Sequence, residues 1–181
     1  MKIIYYITLL VFLLCMPLHA VEVDVQYHKK TYYLNAEFQV QATPARVMQI
    51  LTDFKDIAAL NPIMLESELL TSTNEISRVR SVVKDCIVGF CRKITLVEDI
   101  QQMGNQRLES NIVPEYSDLH SGNTVWTLRE NDAGTTVQYA SGIRPKFWIP
   151  SLMRSTIAAE KFKKRVTQSM ENLQNKVSND D

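Results

Sequence analysis

The sequence is poor in the residues from which recognisable catalytic and metal-binding signatures are built. Five glycines, three histidines and three cysteines occur in 181 residues. The glycines are too scattered to make a loop of backbone N–H groups around a phosphate, and there is no nucleophile elbow. His28 stands near the start and His120 far downstream, and Asp118-x-His120 is short of the three or four ligands that a metal site needs. No Cys/His pairing suggests a nucleophile, so no catalytic residue, metal or cofactor is assigned. A surplus of charge is missing too. With Lys2 set aside, 19 basic residues face 20 acidic ones, which argues against nucleic acid as a partner.

Long apolar runs are also scarce, and the one present is informative. Lys2 precedes an almost unbroken apolar stretch from Ile3 to Cys15, and Leu18-His19-Ala20 follows as a cleavage site. Thirteen or so apolar residues suit a signal-peptide core better than a bilayer span of about 20. Leu18 stands where a small residue is usual, so a retained anchor is the competing reading. The expectation is a signal peptide over residues 1–20, a polar lead-in over 21–30 and a single domain over 31–177. The mature part is then periplasmic or secreted.

Removing Cys15 leaves Cys86 and Cys91, an even pair in an exported chain, which reads as a disulfide. Five positions apart around a Val88-Gly89 turn, they can face each other across a hairpin, and so short a loop gives about 2 kcal/mol on the chain-entropy model. A redox-active pair is the other reading, but such pairs are more often two residues apart at a helix start.

What is present is a clear change of period. Thr31 to Ala42 alternates as a strand. Thr43-Pro44 is an N-cap followed by proline at the first helical position. A helix over Ala45–Phe54 and a second short one over Lys55–Leu60 follow, stopped at Asn61-Pro62. From there the period is two for some 80 residues, giving strands at Leu65–Leu69, Ile76–Val83, Lys93–Ile100, Gln106–Val113, Thr124–Glu130 and Thr135–Ile143. Pro114 to Asn123 reads as a loop, and Asn131-Asp132-Ala133-Gly134 as a hairpin turn. Pro150 to Val177 is a helix of roughly 40 Å. Its stripe is Met153, Ile157, Phe162, Val166, Met170, Leu173 and Val177, and Glu160, Lys161, Lys163 and Lys164 lie on its charged side. The fold class is therefore α+β: a curved antiparallel sheet of about seven strands, two short helices after the first, and a long C-terminal helix across the sheet.

This order resembles the START-like superfamily (SRPBCC, polyketide cyclase/dehydrase and lipid transport), with its helix-grip fold. The matching residues are Phe38-x-Val40-x-Ala42-x-Pro44-x-x-Val47 running into Leu51-x-Asp53-Phe54, then Asn61-Pro62 and Glu66-Ser67-Glu68. Trp126-x-Leu128, Gly134-Thr135-x-Val137-x-Tyr139 and Pro145-x-Phe147-Trp148-x-Pro150 match further on. The pattern is similar to that of the coenzyme Q-binding group. The resemblance implies a hydrophobic cavity between sheet and C-terminal helix, holding a lipid, isoprenoid or polyketide-like molecule for binding or transport. A cyclase- or dehydrase-type enzyme and a protein-interaction module with a filled cavity are the alternatives.

Expected cavity residues are Trp126, Leu128, Val137, Tyr139, Ser141, Phe162 and Val166, with plain core packing as the competing role of each. Phe147, Trp148 and Ile149, flanked by Arg144, Lys146 and Arg154, are expected either to guard the cavity mouth and touch a membrane transiently, or to staple the start of the helix. Arg78 and Arg80 alternate with apolar neighbours and read as outward-facing. An inward orientation would make them clamps for an anionic head group. Glu98 and Glu109 lie within strands, with their faces open.

Overall fold

The computed structural model describes residues 21–87, 90–149, 151 and 156–179. The expected signal segment, the Val88-Gly89 turn and the first turn of the expected C-terminal helix, with Met153 and Arg154, lie outside them.

Eight strands form one antiparallel sheet: β1 (Glu22–His28), β2 (Thr31–Val40), β3 (Met64–Ser72), β4 (Ser77–Ile87), β5 (Phe90–Met103), β6 (Arg107–Ile112), β7 (Leu119–Asn131) and β8 (Gly134–Pro145). Their spatial order is β1-β2-β8-β7-β6-β5-β4-β3, so a crossover carrying α1 (Pro44–Leu51) separates β2 from the β3–β8 meander. Helix α2 (Thr156–Asn179) closes the concave face. The expected α+β helix-grip architecture is thus the observed one, with one strand more than expected.

The additional strand is β1, within the segment expected to be a lead-in. Val23 is buried and Val25 and Tyr27 are partly buried on one face, packed into the core. The turn that joins β1 to β2 is made by Lys29 and Lys30, both in the left-handed region at φ 48° and 67°. Such a turn usually carries Asn-Gly, and two lysines give no sequence signal of it.

Other boundaries shift for local reasons. Thr43 caps α1 by accepting from the Arg46 N–H at 3.3 Å, as its place before Pro44 suggests, and Thr52 ends the helix by bonding back to the Met48 carbonyl at 2.9 Å. The second expected helix is only a 3-10 turn over Ile57–Ala59. The segment read as a loop from Pro114 contains a 3-10 turn and the first part of β7. Ser117 and Asp118 dock it by accepting the Val97 and Thr95 N–H groups, each at 2.8 Å. Cys86 and Cys91 stand opposite each other in the β4–β5 ladder and form the disulfide.

Helix α2 spans roughly 36 Å at 1.5 Å per residue. Eight strands at about 4.8 Å spacing make a sheet of similar width. The helix therefore crosses the sheet once but covers only a stripe of strands as long as the 14 residues of β5. Its C-terminal half is firmly packed: Met170, Leu173 and Val177 are buried with Val47, Met48 and Leu51 of α1. Asn172 and Gln174 also donate to the Leu60 and Gln39 carbonyls at 3.1 and 2.8 Å. In the N-terminal half Ala158 takes the buried position, and Ile157, expected on the stripe, is exposed.

Gly134 closes the β7–β8 hairpin at φ +121°, and a Cβ there would meet the Val40 carbonyl oxygen at 2.3 Å. Gly134→Ala should cost at least about 1 kcal/mol in urea denaturation, and up to about 3. A variant as stable as the parent would show that the turn relaxes freely.

Candidate functional site: a cavity between sheet and helix

Under the N-terminal half of α2 the concave face is left unfilled, and a cavity of about 720 Å³ remains. Its floor follows from strand periodicity, because every second residue of a strand faces it. β5 gives Ile94, Leu96, Glu98 and Ile100; β6 gives Leu108, Ser110 and Ile112; β7 gives Gly122, Thr124 and Trp126; β8 gives Tyr139, Ser141 and Ile143. Phe162, Val166 and Ser169 of α2 form the roof. The lining is mainly aliphatic and aromatic, with a few polar groups, as in small-molecule sites of roughly 300–1,000 Å³.

Of the residues expected here, Trp126, Tyr139, Ser141, Phe162 and Val166 line the cavity. Trp126 and Tyr139 are cross-strand partners with rings 4.7 Å apart in an edge-to-face contact. Phe162 meets Tyr32 of β2 edge to face, with ring centroids 4.9 Å apart. Leu128 and Val137 are corrected. They oppose each other on the same face but are 1% and 0% exposed, in the core that α1 and the C-terminal half of α2 fill. Period two gives the face of a strand, but not which end of it the helices cover. Phe147, Trp148 and Ile149 line the mouth. Trp148 is 73% exposed, and Phe147 lies under the Arg92 guanidinium at 4.6 Å.

A polar row crosses this apolar floor. Ser110 and Thr124 are opposite in the β6–β7 ladder, and Thr124 and Ser141 in the β7–β8 ladder. The Thr124 and Ser141 hydroxyls are 2.9 Å apart, and the Ser110 hydroxyl donates to Glu98. Burial pushes the Glu98 carboxyl above its ordinary range, and the Ser110 hydrogen bond only partly opposes it. Burial likewise raises Tyr139; hydrogen bonds with Ser141 and Thr124 oppose the shift, and nearby Glu98 adds to it. Both groups are held toward their neutral forms, able to donate a hydrogen bond into the cavity.

Glu109 faces outward, paired with Arg107. Arg78 is also outward, holding Asp99 through two bonds of 2.6 and 2.7 Å, and Arg80 lies 3.7 Å from Glu66 and Glu68. The strand residues expected as possible anion clamps are therefore surface ion pairs. Sequence reasoning missed a cluster at the mouth. Asp85 Oδ1 accepts the Cys86 N–H at 2.8 Å and meets Arg165 Nη2 at 3.0 Å and Lys161 Nζ at 3.5 Å. Asp85 and Arg165 are 80 positions apart, beyond any periodicity. His28 and His120 are exposed, and no cluster among the described residues could hold a metal.

An antiparallel sheet gripping one long helix around an apolar cavity is the START-like helix-grip fold, suited to hydrophobic small molecules. The chain belongs to the family described as polyketide cyclase / dehydrase and lipid transport, whose model matches residues 34–178. Among solved structures, a protein of Thermus thermophilus is similar at TM-score 0.68 and 17% identity, over 80% of this chain and 96% of its own. A STAR-related lipid transfer protein of Xanthomonas axonopodis gives TM-score 0.65 and 16% identity, over 88% and 99%. The Zhui aromatase/cyclase of a Streptomyces species gives 0.59 and 15%, over 81% and 91%. At these identities the likeness concerns the fold alone. No curated protein matches the chain by sequence.

The raised Glu98 carboxyl has a signed consequence. The folded protein holds this proton more tightly than the unfolded chain, so stability from the group is present below the ordinary value of 4.5 and is lost as pH rises toward the raised one. Glutamine cannot ionise. Glu98→Gln should gain stability relative to the parent in urea midpoints as pH rises above the ordinary value of 4.5. A difference that does not change with pH would place Glu98 in water.

Proposed function

We propose that this chain is an exported protein that binds or transports an apolar small molecule of the lipid, isoprenoid or polyketide-like kind. The observation that carries the reading is the cavity itself, sized for a small molecule and lined mainly by apolar side chains. The family agrees with it, as does the likeness to the Xanthomonas lipid transfer protein. A filled core, as a pure interaction module would have, is not what α2 covers. The resemblance to the coenzyme Q-binding group makes isoprenoids the first ligands to test. Export rests on Lys2, the Ile3–Cys15 run and Leu18-His19-Ala20, with the Cys86–Cys91 bridge in keeping with an oxidising compartment. The mature domain then begins at Val21. Among the described residues no helix is long and apolar enough to cross a membrane.

A second reading is favoured by a specific observation. Glu98 and Tyr139 face one cavity, and both are raised by burial, as expected of a general acid in a cyclase- or dehydrase-type enzyme. The binding role needs only the cavity and comes first. The enzyme role needs in addition a substrate that places a reacting oxygen against these two groups.

Protein purified from the periplasm should carry a lipid-like ligand in native mass spectrometry. Ser169→Trp, which fills the roof, should lose that ligand while remaining folded. A ligand-free protein that also ignores a panel of lipids and isoprenoids would end the binding reading. Trp148 serves a membrane-contact role, exposed at the mouth beside Phe147. Trp148→Ala should weaken liposome binding with the thermal midpoint unchanged. Unchanged binding with lost stability would make it a staple for the helix start.

A further inference from the structure

Among the described residues, the mouth of the cavity brings three cationic side chains to one carboxylate. Asp85 is nearly buried, and its Oδ1 takes the Cys86 N–H, Arg165 and Lys161 together. Arg165 lines the cavity, and its Nε is buried with no acceptor among the described residues. Arg92 stands directly across the β4–β5 ladder from Asp85, yet among the described residues it forms no ion pair and lays its guanidinium over Phe147. Two arginines and a lysine therefore surround one carboxylate where the apolar cavity meets solvent. The next ladder pair is Cys86 and Cys91, so the disulfide fixes the strand positions from which Asp85 and Arg92 project.

We propose that the ligand is an amphiphile with an anionic head group, a carboxylate or a phosphate monoester. Its apolar part lies in the cavity and its head lies at the mouth against Arg165, Lys161 and Arg92. This rests on the binding reading above and narrows its ligand class. A guanidinium with an unpaired N–H in a partly desolvated site gains from an oxyanion that can take two of its donors. An aliphatic or aromatic tail accounts for the walls beyond. A neutral ligand would leave the excess cations unmatched. The inner row of Glu98, Ser110, Thr124 and Ser141 is a separate feature, its side chains hydrogen-bonded within the row.

The test uses full-length mature protein and cis-parinaric acid, with its methyl ester as the neutral twin. An alkyl phosphate and the alcohol of the same chain length serve as competitors. The acid should bind at least about tenfold more tightly than the ester, a gap that narrows at high salt. Arg165→Gln should weaken the acid far more than the ester and so remove most of the preference, and Arg92→Gln, at an exposed position, should reduce the preference with no loss of folding. If these residues only glue α2 to the hairpin, acid and ester weaken together as the thermal midpoint falls, and the proposal fails. Success of the phosphate alone, or of the carboxylate alone, supports the proposal and identifies the head. Equal affinity for charged and neutral probes overturns the head-group assignment but keeps the binding reading. Binding of no probe overturns both.

Discussion

One helix cannot fill the concave face of an eight-stranded sheet, and the rest of this structure follows from that mismatch. A flat sheet could be sealed by two or three helices. Here α1 and the C-terminal half of α2 seal one end, and the remaining alternate residues of β5 to β8 face open space. Apolar surface left uncovered inside a protein forgoes about 25 cal/mol for each Å² kept from contact, so the chain gives up stability to keep the space. The Trp126–Tyr139 and Phe162–Tyr32 ring pairs stiffen the walls so that they do not collapse inward.

Polar groups are divided between two depths. The inner ones are neutral hydroxyls and two acids whose ionisation burial opposes. The outer ones are Asp85, which pairs with Arg165 and Lys161, and Arg92, which lies over Phe147. The mouth and the floor of the cavity thus differ in chemistry: ion-paired side chains at one, hydroxyls and a carboxyl whose ionisation burial opposes at the other.

Much of this is legible in the sequence because period two and period 3.6 are strong signals. The order of elements, the Thr43 cap, the Asn131–Gly134 turn and the cystine follow from local rules, and period two puts Tyr139 and Ser141 on one face without saying which way that face points. What escapes is depth and distance. Leu128 and Val137 share the right face but lie under α1, a fact held in the crossover and not in their own strand. Strand β1 does carry a period of two in Val23, Val25 and Tyr27, but it is short and the Lys29-Lys30 turn that folds it onto β2 carries no hairpin signal. Lys161 reads as part of the solvated side of α2, whereas it reaches Asp85 at 3.5 Å. Pairings between residues 80 positions apart leave no periodic trace.

The uneven packing of α2 gives the helix two mechanical characters. Its C-terminal half is clamped by Met170, Leu173 and Val177 and by the bonds from Asn172 and Gln174, while its N-terminal half rests on a hollow and is tied across it at Asp85. It is a cantilever, with its root in the core and its free arm over the ligand space. The packing that anchors the helix and the span that roofs the cavity therefore lie at opposite ends of a single element.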